Sequence, residues 1–124
     1  ADELQFFTPS CTGPSPKPRG YHSACASADG GKLYIFGGIA SRDACNELAI
    51  LDTATWTWSL PETEGEPPSP RFGCAVALHN DTLWVVGGGQ GGDLLRSGDD
   101  LHDVHCLDLT TLTWSQPLLA GQPP

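Results

Sequence analysis

The sequence predicts an all-β fold made of repeated units, each a sheet of four short antiparallel strands. Three observations lead to this prediction. A similar order of residues occurs twice along the chain. Glycine, with 15 residues, and proline, with 11, are frequent, as expected where many turns join short strands. No segment shows the sustained apolar periodicity of a helix.

The two units share four marks in the same order. An Arg follows a Pro at the start, a glycine doublet ends an apolar run, an Asp ends an acidic strand, and a Trp stands near the end. In the first unit these residues are Arg19, Gly37, Gly38, Asp52 and Trp58. In the second unit they are Arg71, Gly87, Gly88, Asp108 and Trp114. Two copies in one order indicate two structural units.

The spacing of the marks divides the chain. We expect residues 18–68 to form the first unit, and residues 69–124 to form the second unit with a spacer. Residues 1–17 then hold the last strand of a preceding unit and a linker. The glycine doublets lie 50 positions apart and the tryptophans 56, so the second unit carries an insertion between its second and third strands. We place this insertion in a loop from Gln90 to Leu101.

Within each unit, local signals predict individual strands. Residues 29–31 and 79–81 separate the first strand from the second, and Asp29-Gly30 is a strong hairpin signal. The runs 33–36 and 83–86 are apolar without alternation, which predicts strands covered on both faces. A glycine doublet at a strand end suits positive φ, or a close backbone approach that a Cβ would block.

These marks resemble the kelch repeat, and the resemblance covers essentially the whole chain. It implies kelch-type β-propeller blades of four antiparallel strands, about two blades of an incomplete ring. A closed propeller has roughly 4–8 blades of about 50 residues, which is longer than this chain. Two blades alone would expose apolar sheet at both ends, so we expect the remaining blades to come from the same chain or another. Two departures are a third glycine, Gly89, and His105 at a position that is often aromatic in the family.

The resemblance also implies a function. Intracellular kelch proteins include substrate receptors of ubiquitin ligases, and scaffolds or effectors in trafficking. We therefore expect a protein-binding module rather than an enzyme, with protein partners and no cofactor. For Arg19 and Arg71 two roles stay open. They bridge backbone carbonyls or an acidic residue where blades meet, or they contact a ligand near the central opening.

The insertion in the second unit supplies candidates for partner contact. Blade geometry does not require it, and apolar and Arg side chains on such a loop are typical interface anchors. The resemblance places this loop on a face that often binds partners; the alternative is an insertion without function. In the corresponding loop of the first unit, residues 39–45, we expect Arg42 and Asp43 to be exposed. The candidate partner-binding residues are Leu94, Leu95, Arg96, Arg42, Asp43, Arg19 and Arg71.

A metal site is the alternative hypothesis. Asp103 and His105 lie two apart on one predicted strand, hence on the same face, and a carboxylate with an imidazole can bind a divalent metal. Such a site would suit a metal-dependent enzyme or specifier protein on a kelch propeller. The Glu that the specifier spacing needs is absent, so we favour an acidic loop that enters a strand and assign no metal ligands. Tyr21 and His22 resemble part of a galactose-oxidase-like copper site, which needs further Tyr and His ligands from other blades; the second Tyr of this chain, Tyr34, lies in a strand run.

Charge and cysteine content restrict the partner and the compartment. The net charge is −9 with six Lys and Arg residues, which argues against nucleic acid or anionic membrane as a partner. If this charge selects a partner, it favours one with a basic patch; the alternative, which we prefer, is that it only keeps the protein in solution. Five cysteines without a C-x-x-C pair predict reduced thiols, so we expect a location in the cytoplasm or the nucleus. No apolar run is long enough to span a bilayer.

Overall fold

The computed structural model describes residues 6–90 and 99–117 of the 124 residues. These residues form ten strands. Within the same ranges, no helix is long and apolar enough to cross a membrane. The strands are β1 (Ser23–Ala26), β2 (Lys32–Phe36), β3 (Ile39–Ala40), β4 (Asp43–Ala44), β5 (Leu48–Asp52), β6 (Thr57–Ser59), β7 (Ala75–His79), β8 (Thr82–Gln90), β9 (Asp99–Asp108) and β10 (Thr113–Ser115).

Most of the strands form two antiparallel sheets of four. β1, β2, β5 and β6 lie side by side in that order and form the first blade, and β7, β8, β9 and β10 form the second blade in the same manner. β3 and β4 pair as a separate hairpin between the second and third strands of the first blade. The prediction of an all-β fold with four-stranded antiparallel blades is confirmed.

The turn before the last strand is built in the same way in both blades. The Oδ1 atom of Asp52 accepts hydrogen bonds from the backbone nitrogens of Ala54 and Thr55, at 2.9 and 3.2 Å. Asp108 Oδ1 accepts the equivalent two bonds in the second blade, at 2.8 and 3.3 Å. An Asp side chain at a strand end satisfies turn nitrogens that have no partner in the sheet. This explains the Asp at the end of each acidic strand.

The core lies between the two blades. Phe36 of the first blade packs against Trp114 of the second, with ring centroids 5.6 Å apart and planes tilted by 56°. Alternate residues of the facing strands bury their side chains here, because successive residues of a strand point to opposite faces. The buried cluster consists of Tyr34, Phe36, Leu48, Cys74, Leu83, Val85, Leu107 and Trp114.

Each blade has a second, outer face that points away from this core. On β2, Leu33 and Ile35 are only partly buried, and on β8 Val86 is 44% exposed. The prediction that the two apolar runs are covered on both faces is therefore correct for one face of each strand. A strand is buried twice only when a layer packs on each side, and in the described residues each blade has one neighbouring blade.

A short leading segment ahead of each blade pairs with that blade's last strand. Thr12 runs parallel to Thr57 of β6, and Glu64 runs parallel to Thr113 of β10. In both cases two backbone hydrogen bonds of 2.8 and 2.9 Å make the contact. The two segments thus occupy equivalent positions, which supports the alignment of the units.

The second blade departs from the predicted loop boundaries. β8 continues to Gln90 and β9 begins at Asp99, so that Gln90 pairs with Asp99 and Gly88 pairs with Leu101. Both ends of the segment predicted as a loop, 90–101, are therefore strand. A register shift at the glycine doublet lets β8 continue past it instead of ending there. The candidate residues Leu94, Leu95 and Arg96 lie outside the described residues.

The first described residues precede the first blade. Residues 6–11 are not strand here, and the assignment of residues 1–17 to the last strand of a preceding blade and a linker stays a prediction. Phe6 is fully exposed, and Phe7 packs edge-on against Trp56 with ring centroids 5.9 Å apart. A last strand needs its own sheet to pair with, and the described residues do not include one.

Candidate functional site

Arg71 joins the two blades through its backbone, while its side chain binds residues of the second blade. Its backbone nitrogen donates to the Cys45 carbonyl at 3.1 Å, and its carbonyl accepts from the Gly38 nitrogen at 2.9 Å. Its guanidinium binds within the second blade: Nη1 and Nη2 donate to the two oxygens of Asp103 at 2.7 and 3.0 Å, and Nη1 also donates to the Gly87 carbonyl at 3.1 Å. The side chain is 0% exposed, so it offers no surface to a partner.

Arg19 makes matching contacts in the first blade. Its Nη1 donates to the Gly37 carbonyl at 3.2 Å, and its Nη2 donates to Glu47 Oε1 at 2.5 Å. The Arg19 side chain is 6% exposed, whereas the Glu47 side chain is 41% exposed. Both arginines therefore bridge a carbonyl of the glycine doublet and a carboxylate, which lies just before the third strand in the first blade and within it in the second.

Asp103 lies between Arg71 and His105. Its Oδ2 atom is 2.7 Å from His105 Nε2, and His105 Nδ1 is buried without a hydrogen-bond partner among the described residues. The Arg71 guanidinium holds the pKa of Asp103 well below its ordinary value, and the His105 hydrogen bond lowers it further against the raising effect of partial burial. Both carboxylate oxygens thus already contact protein donors. In the described ranges, no three His, Cys, Asp or Glu side chains are grouped to hold a metal ion.

The glycine doublets allow backbone segments to approach one another closely. Gly38 and Gly88 have φ of 104° and 100°, a conformation that L side chains rarely adopt. A Cβ on Gly38 would lie 2.8 Å from the Gly20 carbonyl oxygen, and one on Gly88 would lie 2.8 Å from the Phe72 carbonyl oxygen. The preceding glycine of each doublet also has positive φ, 70° and 63°. Both doublets are therefore required by the backbone.

The β3–β4 hairpin carries Arg42 and Asp43, and both are exposed. Ser41 and Arg42 form its turn with φ of 52° and 79°, the left-handed pair that a two-residue hairpin of this kind uses. Ile39 fixes the base of the hairpin through two backbone hydrogen bonds with Gly20, of 2.8 and 3.1 Å. The hairpin thus holds two opposite charges at the surface on a short, well-anchored element.

A cavity of about 280 Å³ lies between this hairpin and the second blade, and we call it the hairpin groove. Ile39 and Phe72 supply apolar lining, while Arg42 and Asp43 supply both signs of charge. A groove that combines apolar and charged lining is typical of sites that bind side chains of a partner. The principal lining residues are Ile39, Arg42, Asp43, Pro70, Phe72 and Gln90.

Of the lining residues, only Arg42 and Asp43 are among the candidates predicted from the sequence as partner contacts; Phe72 is not, and neither is Tyr21, which packs against it. Tyr21 is 61% exposed, and its ring packs edge-on against Phe72 with centroids 6.4 Å apart. The aligned units contain one signal for these aromatic residues. Gly20-Tyr21 of the first unit aligns with Phe72-Gly73 of the second, so the order of glycine and aromatic residue is reversed. The groove itself has no signal in either unit alone, because a loop of one blade and the first residues of the next form it together.

Comparison with known proteins agrees with the repeat architecture. A model of the KLHDC2/KLHL20/DRC7 Kelch-repeats domain matches residues 1–124. The human Rab9 effector protein with kelch motifs is 35% identical over 123 residues, which is 97% of this chain and 32% of that protein. The protein of the same name from Bos taurus is 42% identical over 95 residues, 74% of this chain and 24% of that protein.

A more distant relative has a different name. Dynein regulatory complex subunit 7 of Chlamydomonas reinhardtii is 34% identical over 88 residues, 70% of this chain and 8% of that protein. The chain therefore spans about a third or less of the length of these relatives. The match over all residues confirms the resemblance to the kelch repeat, and the chain belongs to the KLHDC2/KLHL20/DRC7 kelch-repeat family.

Proposed function

We propose that this chain is a protein-binding module whose contact surface is the hairpin groove with the exposed β3–β4 hairpin. The observation that carries the proposal is the groove between two blades, where apolar residues lie beside the exposed charges of Arg42 and Asp43. Interfaces combine apolar contacts with charged groups that set specificity. The names of the relatives, an effector of Rab9 and a subunit of a regulatory complex, support a role in protein association.

In finer terms, we propose a scaffold or substrate-recognition surface without catalysis, for example in a ubiquitin ligase, located in the cytoplasm or the nucleus. The polar groups best placed for chemistry are already engaged within the fold. Arg71 is fully buried, and Asp103 binds both Arg71 and His105. Their contacts support a role in joining strands and blades, so we leave Arg19 and Arg71 out of the proposed contact surface.

We also propose that further kelch blades, in the same chain or another, cover the two outer faces. In the repeat alignment, Val86 on the outer face of the second blade is the counterpart of Phe36, which packs against the second blade. Trp58 is likewise the counterpart of Trp114, which receives Phe36. Each outer face therefore carries the counterpart of a residue that packs between the two blades. This is expected for units that stack in one repeated manner.

Photocrosslinking tests the proposed surface. We expect p-benzoylphenylalanine in place of Arg42 to form a covalent adduct with a partner protein when the chain is expressed in cells, because this position lies at the groove. The matched control carries the same group in place of Lys32, an exposed cation at the other end of β2. The adduct at position 42 should exceed that at position 32 by about tenfold, as for a core contact against a bystander. Equal adducts at both positions, or an adduct at position 32 alone, would contradict the proposal.

A further inference from the structure

Tyr21 has a left-handed backbone conformation. The aligned residue of the second unit has the same conformation but is a glycine. The φ of Tyr21 is 56°, and the φ of the aligned Gly73 is 64°. The Tyr21 carbonyl accepts a hydrogen bond of 2.9 Å from the Gly73 nitrogen, which ties the two positions together across the blade boundary. A left-handed conformation is unfavourable for an L residue with a bulky side chain. Glycine at position 21 would therefore satisfy the fold at lower cost.

The remaining non-glycine residues with positive φ have a structural explanation. Each lies in a turn that joins two antiparallel strands, where the left-handed conformation reverses the chain. Tyr21 instead precedes the first strand of a blade and reverses nothing. The residues in turns are Ser41, Arg42, Trp56, Asn80, Asp81 and Leu112.

Packing in the core does not account for Tyr21 either. The side chain is 61% exposed, and its aromatic neighbour is Phe72, which lines the hairpin groove. The two rings meet edge-on, at 69° between planes, and most of Tyr21 remains accessible to solvent. A strained residue with an exposed ring at the edge of a groove points to a role in binding.

Two exposed carboxylates and one exposed cation lie in or beside the groove that Phe72 lines. Asp43 lines the groove, and the exposed Asp100 lies opposite Gly89, which in turn pairs with Phe72. Within the described residues, neither carboxylate forms an ion pair. The whole chain adds a net charge of −9. Arg42 is the cation that lines the groove, and it lies next to Asp43 in the sequence.

We propose that Tyr21 is the anchor for a basic segment of a protein partner. The exposed ring of Tyr21 takes a Lys or Arg side chain through a cation–π contact, and Asp43 neutralises a positive charge of the same segment. Apolar side chains of that segment lie against Phe72 and Ile39. This inference rests on the proposed function and adds to it the chemical class of the partner.

Peptide selection with backbone-matched variants tests the inference. The full chain is used to select from a phage-displayed library of random peptides, and the affinity of the enriched peptides is measured by fluorescence anisotropy. We expect peptides rich in Lys or Arg whose affinity falls with ionic strength. Tyr21→Gly should lower their affinity by about tenfold or more, while the thermal midpoint stays equal or rises because the backbone strain is removed. Asp43→Asn should weaken binding as well.

Two control variants separate this role from a structural one. Asn80→Gly relieves the same kind of backbone conformation in the turn between β7 and β8, and should leave peptide affinity unchanged. Arg42→Gln should leave affinity for basic peptides unchanged or raise it. Enriched peptides that are acidic, or basic peptides that bind Tyr21→Gly as well as the original chain, would overturn the inference. If the adduct at position 42 still forms in that case, the proposed function stands; if it does not, both are wrong.

Discussion

At the scale of single residues, the two blades contain the same Arg–carboxylate pair in different surroundings. Arg71 is fully buried against Asp103, which is 31% exposed, whereas Arg19 binds Glu47, which is 41% exposed. Asp103 also accepts two hydrogen bonds from Arg71, while Glu47 accepts one from Arg19. A buried charge that loses its partner is costly, because no water replaces the lost interaction. The pair in the second blade should therefore contribute more to stability.

Replacing each carboxylate by its amide tests this difference. We expect Asp103→Asn to lower the free energy of unfolding by about 3 kcal/mol, since it leaves Arg71 charged and buried without a counter-charge. Glu47→Gln is the matched control and should cost about 1 kcal/mol or less, as for a pair near water. Urea denaturation at neutral pH gives both values. Equal losses would mean that the second hydrogen bond and the more complete burial of the Arg71–Asp103 pair add nothing to its contribution.

The change in the free energy of unfolding at lower pH can also be predicted. The pKa of Asp103 is held below its ordinary value by Arg71, so the folded state binds the proton less readily than the unfolded state does. Its contribution to stability is complete well above the unfolded-state pKa of about 3.9 and is lost progressively as the pH falls through and below that value. The stability of Asp103→Asn should therefore fall less steeply than that of the original chain in this range.

The sequence predicted the kind of contact that these arginines make, but not which acidic residue they contact. The repeated Pro-Arg positions predicted arginines that bridge carbonyls or an acidic residue, and the structure contains such contacts. The identity of the acidic partner did not follow, because Asp103 lies 32 positions from Arg71 and sequence spacing carries no information on strand register over such a gap. Asp103 was instead considered as a metal ligand, since its neighbour His105 shares its face of β9.

At the scale of elements, the glycine doublets decide where one blade can approach the next. We expect Gly88→Ala to lower the free energy of unfolding by about 3 kcal/mol, because φ is 100° and the new Cβ would lie 2.8 Å from the Phe72 carbonyl oxygen and 2.9 Å from Cys74 Cβ. Gly30→Ala is the control: φ is 73° with open space around the new Cβ, so only the backbone term of about 1 kcal/mol remains. Thermal unfolding monitored by circular dichroism measures both. A cost at Gly88 no greater than at Gly30 would show that the close approach is easily relaxed.

The strands of the two four-stranded sheets were predictable, whereas strand ends and the β3–β4 hairpin were not. Turn residues and apolar runs located the strands of each blade, and the aligned Trp and Asp positions located the last two. The continuation of β8 to Gln90 was missed because three successive glycines normally indicate the end of a strand. A bulge at the doublet, together with pairing partners that begin at Asp99, keeps this glycine-rich backbone in the sheet.

At the scale of the whole molecule, burial of equivalent residues depends on whether a blade lies against them. Trp114 is 4% exposed and packs on Phe36, while its counterpart Trp58 is only partly buried. We expect Trp114→Ala to cost about 4 kcal/mol and Trp58→Ala about 2 kcal/mol in this chain. Chemical denaturation of the two variants checks the order. If a preceding kelch blade is supplied and covers Trp58, the two costs should become similar, whereas an unchanged difference would contradict the proposed stacking.

The fold could be predicted from the sequence, whereas the groove could not. The residue pattern of a blade occurs twice in the chain, so the alignment of two units was enough to predict the fold. The hairpin groove depends on how one unit sits against the next, since Ile39 belongs to the first blade while Pro70 and Phe72 belong to the second. Contacts of this kind have no repeat period and appear only when the blades are placed together.

The leading segments have a consequence for the history of the protein. Thr12 and Glu64 each pair with the last strand of the blade that they precede, so the two ends of one blade are hydrogen-bonded to each other. A stretch of gene that encodes such a blade can be duplicated or deleted as a whole, because the copy includes both halves of its closing contact. A ring of these blades can gain or lose members during evolution without a new pairing inside any one of them.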